Sequence, residues 1–317
     1  MTFHRAMSVV MLLALTSVTT PVVAEETTRE ARIEATIPQP GNVMGLGFDS
    51  LWMMNLATNN LIRIDTDDNS VTEIAIPHAV GPFYYAGMAV GDGGVWLPDL
   101  ERSMIYKIDP KSDQVIKEIP ADLVGGRGTG GKYAIAAGEG AVWAITSHNE
   151  LKRYSAKDGT EAATISLPSQ SLGVIVAFGS VWITGTANDE LYRIDPRTNQ
   201  IAATIALGAR PLALAAGDEG AVWIFNEGDG TVQRIDGKSG DLVATIATGV
   251  VGKGAIDVGG GFVWASTHAA PIIQIDPRTN SVRGKFQLEM SEYSTIRFGG
   301  GSLWVSGRTV RRIKPPE

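Results

Sequence analysis

The chain contains no cysteine. That excludes disulfides, thiolate metal centres, a nucleophilic thiol and c-type haem attachment together. Histidine is almost as scarce, with four in 317 residues. Positive charge is in deficit: 27 Lys and Arg stand against 34 Asp and Glu, a net of −7. Such a balance argues against a general role on nucleic acid or on an anionic membrane surface. Beyond residue 24 no stretch approaches the roughly eighteen apolar residues that suggest a membrane helix. A G-x-S-x-G nucleophile elbow is also missing.

Residues 1–24 read as a secretory leader. His4 and Arg5 make the basic start, Val9 to Val18 is mostly apolar, and Val22-Val23-Ala24 places small residues before a cleavage site at Glu25. The mature chain is then 293 residues, 24 fewer than 317, with 26 basic against 34 acidic side chains and a net of −8. The expected location is the periplasm or the medium. An exported chain without disulfides must rest on packing alone.

Seven Trp are present, and they fall into one register: Trp52, Trp96, Trp143, Trp182, Trp223, Trp264 and Trp304, spaced 44, 47, 39, 41, 41 and 40 residues apart. Each follows Val or Leu, after a Gly-containing turn such as Gly138-Glu139-Gly140. The unit is clearest from Gly179 to Gly208. Val181 to Thr184 is one strand, Leu191 to Asp195 a second, and Ile201 to Leu207 a third with period-two alternation. Between the last two, Pro196 presets a turn and Asn199 tolerates the left-handed conformation. The second strand repeats as Ile64, Ile108, Ile194, Ile235, Ile275 and Ile313, with Tyr154 once; Ala-Thr-Ile marks the third at Ala163, Ala203 and Ala244. Several short strands per unit at a period near forty predict an all-β, seven-bladed propeller of four-stranded antiparallel blades, with residues 25–317 as its single domain.

The ends support the count. After Trp304 there is one more strand, Thr309 to Ile313, so the last blade lacks its outer strand. Ala35-Thr36-Ile37, within Ile33 to Pro40, has the outer-strand pattern but precedes the first Trp. It should complete the last blade, which removes two open sheet edges.

In such a blade the Gly-rich and Asp-Pro turns share one face, while the loops after each Trp strand and the crossovers between blades share the other. The second face is the variable one, where sites are usually built. All three His of the mature chain, His78, His148 and His268, fall there. They could supply a general base or, with Glu227, Glu289 or Glu292, a site for a divalent cation such as magnesium or calcium. The alternative is loop His residues with no shared site. The longest crossover, Pro120 to Lys132, is a candidate rim carrying Arg127, Lys132 and Tyr133. Gly126 to Lys132 fits G-x-x-x-x-G-K, but Tyr133 stands where a phosphate loop needs Ser or Thr. Arg210 and Tyr293 complete the ligand-binding candidates. Arg63, Lys107, Arg153, Arg193, Arg234 and Arg312, with Gln274 in the sixth unit, recur one residue before the marker Ile (Tyr154 in the third). That recurrence suggests a repeated structural partner, such as a carboxylate in a neighbouring strand. Asp65 to Asn69 resembles the start of a calcium loop but lacks its Gly and distal Glu, and reads as a turn.

Leu191-Tyr192-Arg193-Ile194-Asp195-Pro196-Arg197-Thr198-Asn199 and Ala203-Thr204-Ile205-Ala206-Leu207-Gly208 resemble the exported YVTN-repeat and virginiamycin B lyase-like propellers over nearly the whole mature chain. The second resemblance implies a magnesium-assisted elimination that opens a cyclic depsipeptide, with a His pair on consecutive blades. His268, four residues after Trp264, matches one of them, but Glu227 holds the matching place after Trp223. His148 is the other catalytic candidate, and Glu227 with Glu289 are the metal candidates. The preferred reading is a monomeric exported propeller that binds a small molecule or protein on the variable face, without membrane insertion. The alternative is a metal-assisted lyase or hydrolase with His268 as base.

Export through the leader gives a mature chain that starts at Glu25. Intact mass and N-terminal sequencing of the exported protein read this directly, and retention of residues 1–24 would refute it.

Overall fold

The computed structural model describes residues 28–55, 57–77, 87–100, 102–121, 123, 135–146, 148–267, 271–288 and 294–315. Among them the regular elements are strands, arranged as seven antiparallel sheets in sequence order. The fourth blade, made of Ser171–Ala177, Ser180–Gly185, Glu190–Asp195 and Gln200–Ala206, shows the plan. Its Trp strand is buried throughout because neighbouring blades cover both its faces. Its outer strand alternates exposed and half-buried residues, as a strand with one solvated face should. Among the described residues no helix is long and apolar enough to cross a membrane.

The ring closes as its ends suggested. Arg32–Ile37 pairs antiparallel with Val310–Lys314, with Ile33 opposite Ile313 and Ile37 opposite Val310. A further strand, Thr28–Glu30, runs parallel to Ser281–Gln287 and makes the sixth sheet five-stranded. No repeat pattern marks that segment, so the sequence held no cue for it.

The core is divided by blade interface rather than by blade. Each of the seven apolar clusters holds one Trp from one blade and the strands flanking the next blade's Trp. Trp143 packs on Val181, Ile183, Tyr192 and Ile194, Trp182 on Val222, Ile224 and Ile235, and Trp304 closes the ring on Leu51, Met53, Ile62 and Ile64. All seven indoles are at most 1% exposed. Burial of the ring leaves the N–H to be satisfied. In six blades it donates to a carbonyl five residues earlier, as from Trp52 to Gly47 at 3.0 Å and from Trp182 to Ala177 at 3.1 Å. Trp223 donates to the Glu219 carboxylate instead. The turn after Pro211–Gly217 is one residue longer there, and the extra residue brings a side-chain acceptor into reach.

The recurring cations have a different partner from the one expected. Each lies over its own blade's Trp ring, with Arg153 5.0 Å, Arg193 5.3 Å and Arg234 5.3 Å from the centroid. Its far end donates to the turn between the third and fourth strands of the next blade. Arg234 reaches the Pro277 carbonyl at 2.7 Å and Asn280 at 3.1 Å, Arg193 the Lys238 carbonyl at 2.8 Å, and Lys107 the Ala156 carbonyl at 2.8 Å. Arg312 bridges the closure to Asn69 at 3.1 Å. Two of the cations also find a carboxylate: Arg63 reaches Asp113 at 2.9 Å, and Arg312 lies 3.7 Å from Glu34 on the adjacent outer strand, the kind of partner expected. The turn is shaped for this role: its fourth residue is left-handed, with φ of 56° at Asn199, 62° at Asn69 and 52° at Asn280. Asn tolerates that region and also offers an amide oxygen.

Gln274 breaks the series for a topological reason. The next blade is the seventh, whose outer strand comes from the other end of the chain, so the acceptor turn does not exist there.

Replacing Arg234 by Ala removes one cation–π contact and one inter-blade bridge. The expected cost is about 1–3 kcal/mol, or roughly 2–8 °C in Tm. A melting temperature equal to wild type would show that the bridge contributes nothing.

Candidate ligand face

The variable face is more regular than its sequence suggests. After blades two to five, the first crossover residue bonds to the loop that follows the Trp strand. Ala121 N–H donates to the Ser103 carbonyl, Leu167 to Asn149, Leu207 to Asp189 and Thr248 to Gly230, at 2.7 to 3.1 Å. Those acceptors all have left-handed backbone. On this frame the fourth, fifth and sixth blades assemble a polar cluster.

Glu227 is at its centre and is 5% exposed. Its N–H donates to the Arg210 carbonyl at 3.0 Å, and its own carbonyl accepts from Gly252 at 2.9 Å. Its Oε1 accepts from the Gly254 N–H at 3.1 Å. A Cβ at Gly254 would meet the Ser266 carbonyl at 1.9 Å, so only Gly lets this backbone approach. Glu227 thus joins the crossovers that enter and leave its blade.

Arg210 is exposed, with left-handed backbone at φ 53°, and its N–H donates to Asp189 at 2.7 Å. Beside it Asp229 accepts from the Ala209 N–H at 2.8 Å and from the Thr231 hydroxyl at 2.7 Å. Those bonds hold the Asp229 carboxyl below the usual carboxylate range, although burial opposes them as the largest single influence. Asn226, wholly buried, donates to Thr231 at 2.9 Å and to Gln233 at 2.8 Å, while its Oδ1 has no hydrogen-bond partner among the described residues.

The structure therefore brings Arg210 and Glu227 together. His148 is exposed on the loop of the third blade, its N–H donating to Thr146 at 3.2 Å. His268, Glu289, Arg127, Lys132, Tyr133 and Tyr293 lie outside the described residues. Among the described residues no three His, Asp or Glu come together as a metal-binding group.

The central channel holds residues that sequence reasoning passed over. On the innermost strands, Gly45, Ala89, Ala136, Ile175, Ala215, Asp257 and Arg297 stand directly opposite the seven Trp. Only the sixth and seventh blades carry charge there. Aligning the repeats on their Trp exposes the pair, since the position lies seven residues before each Trp, eight in the fifth unit. Asp257 accepts from the Phe298 N–H of the next blade. Arg297 donates to the Ile296 carbonyl at 2.8 Å. Protein surrounds the Asp257 carboxyl on all sides, and that desolvation raises its pKa against the opposing pull of Arg297 and the backbone N–H groups. The residue as a whole is half-buried.

The fold and this face define a class: a seven-bladed propeller closed by its own N-terminal strand, with a polar loop face at one end of the ring. No protein-family model matches the sequence, and no curated protein matches it. Solved structures do. A streptogramin B lyase matches with a TM-score of 0.68 and 19% identity, over 90% of this chain and 96% of that one. A catalytically inactive His-to-Ala variant of virginiamycin B lyase from Staphylococcus aureus, with quinupristin, matches with a TM-score of 0.72 and 18% identity, over 90% and 99%. The selenomethionine form of that enzyme matches at 0.70 and 19%, over 89% and 98%. At these identities the likeness establishes the shared propeller fold.

Asp257→Asn tests the channel environment. A raised folded-state pKa means that the folded protein holds the proton more tightly than the unfolded chain. The stability linked to the neutral acid is complete below about pH 3.9 and is lost as pH rises through the folded value. Asn keeps an acceptor for Phe298 without the charge. The variant should melt higher than wild type at pH 7, with the difference closing towards pH 4. A variant less stable at pH 7 would contradict this account.

Proposed function

We propose that the protein is exported and binds a small ligand on the face that carries the post-Trp loops and crossovers. One observation carries the reading: the two faces are committed differently. The opposite face's turns are occupied as acceptors for the inter-blade cations. The variable face instead holds fixed polar groups around Glu227 and an exposed guanidinium at Arg210. Preorganised polar groups at the mouth of a scaffold channel suit ligand recognition. Arg127, Lys132, Tyr133 and Tyr293 would extend the same rim. A protein partner on this face would meet the same groups.

A second reading, a metal-assisted lyase or hydrolase, is supported by the likeness to lyase structures over nine-tenths of the chain. In it Glu227 and Glu289 would hold a magnesium or calcium ion, which as a Lewis acid would polarise the substrate carbonyl. His268 would remove the proton, with His148 the other candidate base. Glu227 suits such a site only in part, because one carboxylate oxygen already accepts from the polypeptide.

Quinupristin, with and without magnesium, separates the readings. Binding seen as a rise in Tm, weakened by Arg210→Ala and with the ligand unaltered on chromatography, supports recognition without chemistry. A new chromatographic product that disappears in His268→Ala supports the lyase. Neither a Tm shift nor a product would exclude cyclic depsipeptides of this kind as ligands of the face.

A further inference from the structure

The interface between the sixth and seventh blades is the seam of the ring, and it is built differently from the others. Elsewhere a long cation covers the Trp ring and reaches into the next blade. At the seam Gln274 takes that place, directly opposite Trp264 in the sheet. It is 1% exposed, and its Nε2 has no hydrogen-bond partner among the described residues. The Glu30–Arg32 segment and Lys314–Pro315 occupy the place of the missing acceptor turn. Between them and Trp264 lies a cavity of about 260 Å³.

Its wall is apolar: Trp264, Ile272, Phe286, Leu303 and Ile313, each at most 5% exposed. Its volume equals that of roughly nine liquid waters, yet such a wall offers water few partners. The mouth is cationic. Arg32 and Lys314 stand directly opposite each other across the closing pair of strands. Like charges in that position repel. Neither has an ion-pair partner among the described residues. Among the described residues that line it, Glu30 is the one acid against the two cations.

We propose that this cavity binds a single-chain amphiphilic carboxylate of medium length. The tail fills the space against Trp264 and Phe286, and the head sits between Arg32 and Lys314. The seam is chemically suited to such a ligand because ring closure by the opposite terminus removes the arginine bridge that fills the other interfaces. This site is separate from the loop face, and its occupancy does not depend on what that face binds.

The test is calorimetric titration of the full mature protein with hexanoate, octanoate and decanoate, and with decanol as the uncharged control. Saturable binding at one site should strengthen with chain length, by up to about fourfold per methylene, until the cavity is full. Arg32→Ser with Lys314→Ser should weaken decanoate about three- to tenfold and leave decanol unchanged. Gln274→Arg should fill the cavity and abolish binding; Ala31→Phe fills it from the linking segment and serves the same purpose if Gln274→Arg does not fold. No saturable decanoate binding at millimolar concentration overturns the proposal. So does binding that both filling variants leave intact, or an effect of the charge variants that is equal for decanoate and decanol.

Discussion

A cation lying over an indole, with its far end bonded to the next blade's turn, is the contact that the ring depends on. It performs two tasks with one side chain. The aliphatic stem and guanidinium cover the outer edge of an apolar interface, and the terminal N–H groups satisfy turn carbonyls that the sheet leaves open. The energy of any one such contact is modest. Its value is geometric, because it fixes the spacing and angle of successive blades at six of seven interfaces. A chain without disulfides needs that, since every interface must hold by packing and hydrogen bonds.

The same contact divides the molecule into a face of uniform acceptor turns and a face of variable loops. Turns that must accept a cation are constrained in length and in their left-handed fourth residue. The loops at the other end escape that constraint, and there the buried Glu227, Asn226 and Gln233 form a network around backbone groups of three blades. The closure of the ring is an exception on the structural side. The last blade borrows its outer strand, so it has no turn to offer, and the interface before it is left with an unpartnered amide and an internal space.

Much of the architecture was legible in one dimension because the constraints repeat. Seven Trp in common register, Asn199 at a left-handed turn position and an orphan Ala35-Thr36-Ile37 all found their expected places. The role of the recurring arginines was legible only in part. Their periodicity pointed to a structural partner, but many of the acceptors are turn carbonyls, and a carbonyl leaves no mark in a sequence. Asp257 and Arg297 were visible as departures from the repeat only once the innermost strands were aligned on the Trp. Thr28–Glu30 lies outside the repeats, so its parallel pairing with the sixth blade left no periodic mark.

Periodic burial is a local property, so the order of residues by itself determined the number of blades, their strands and the manner of closure. Each repeat must place an indole and its flanking apolar residues at the same depth, and that requirement is written at every fortieth residue or so. Contacts between residues far apart in the chain obey no such rule. Only the folded ring decided that Arg210, Glu227 and Gly254 meet, that Asp257 is desolvated beside Arg297, and that Arg32 faces Lys314 over an apolar space. Those groups belong to different blades or opposite ends, and their proximity is a consequence of closing a circle.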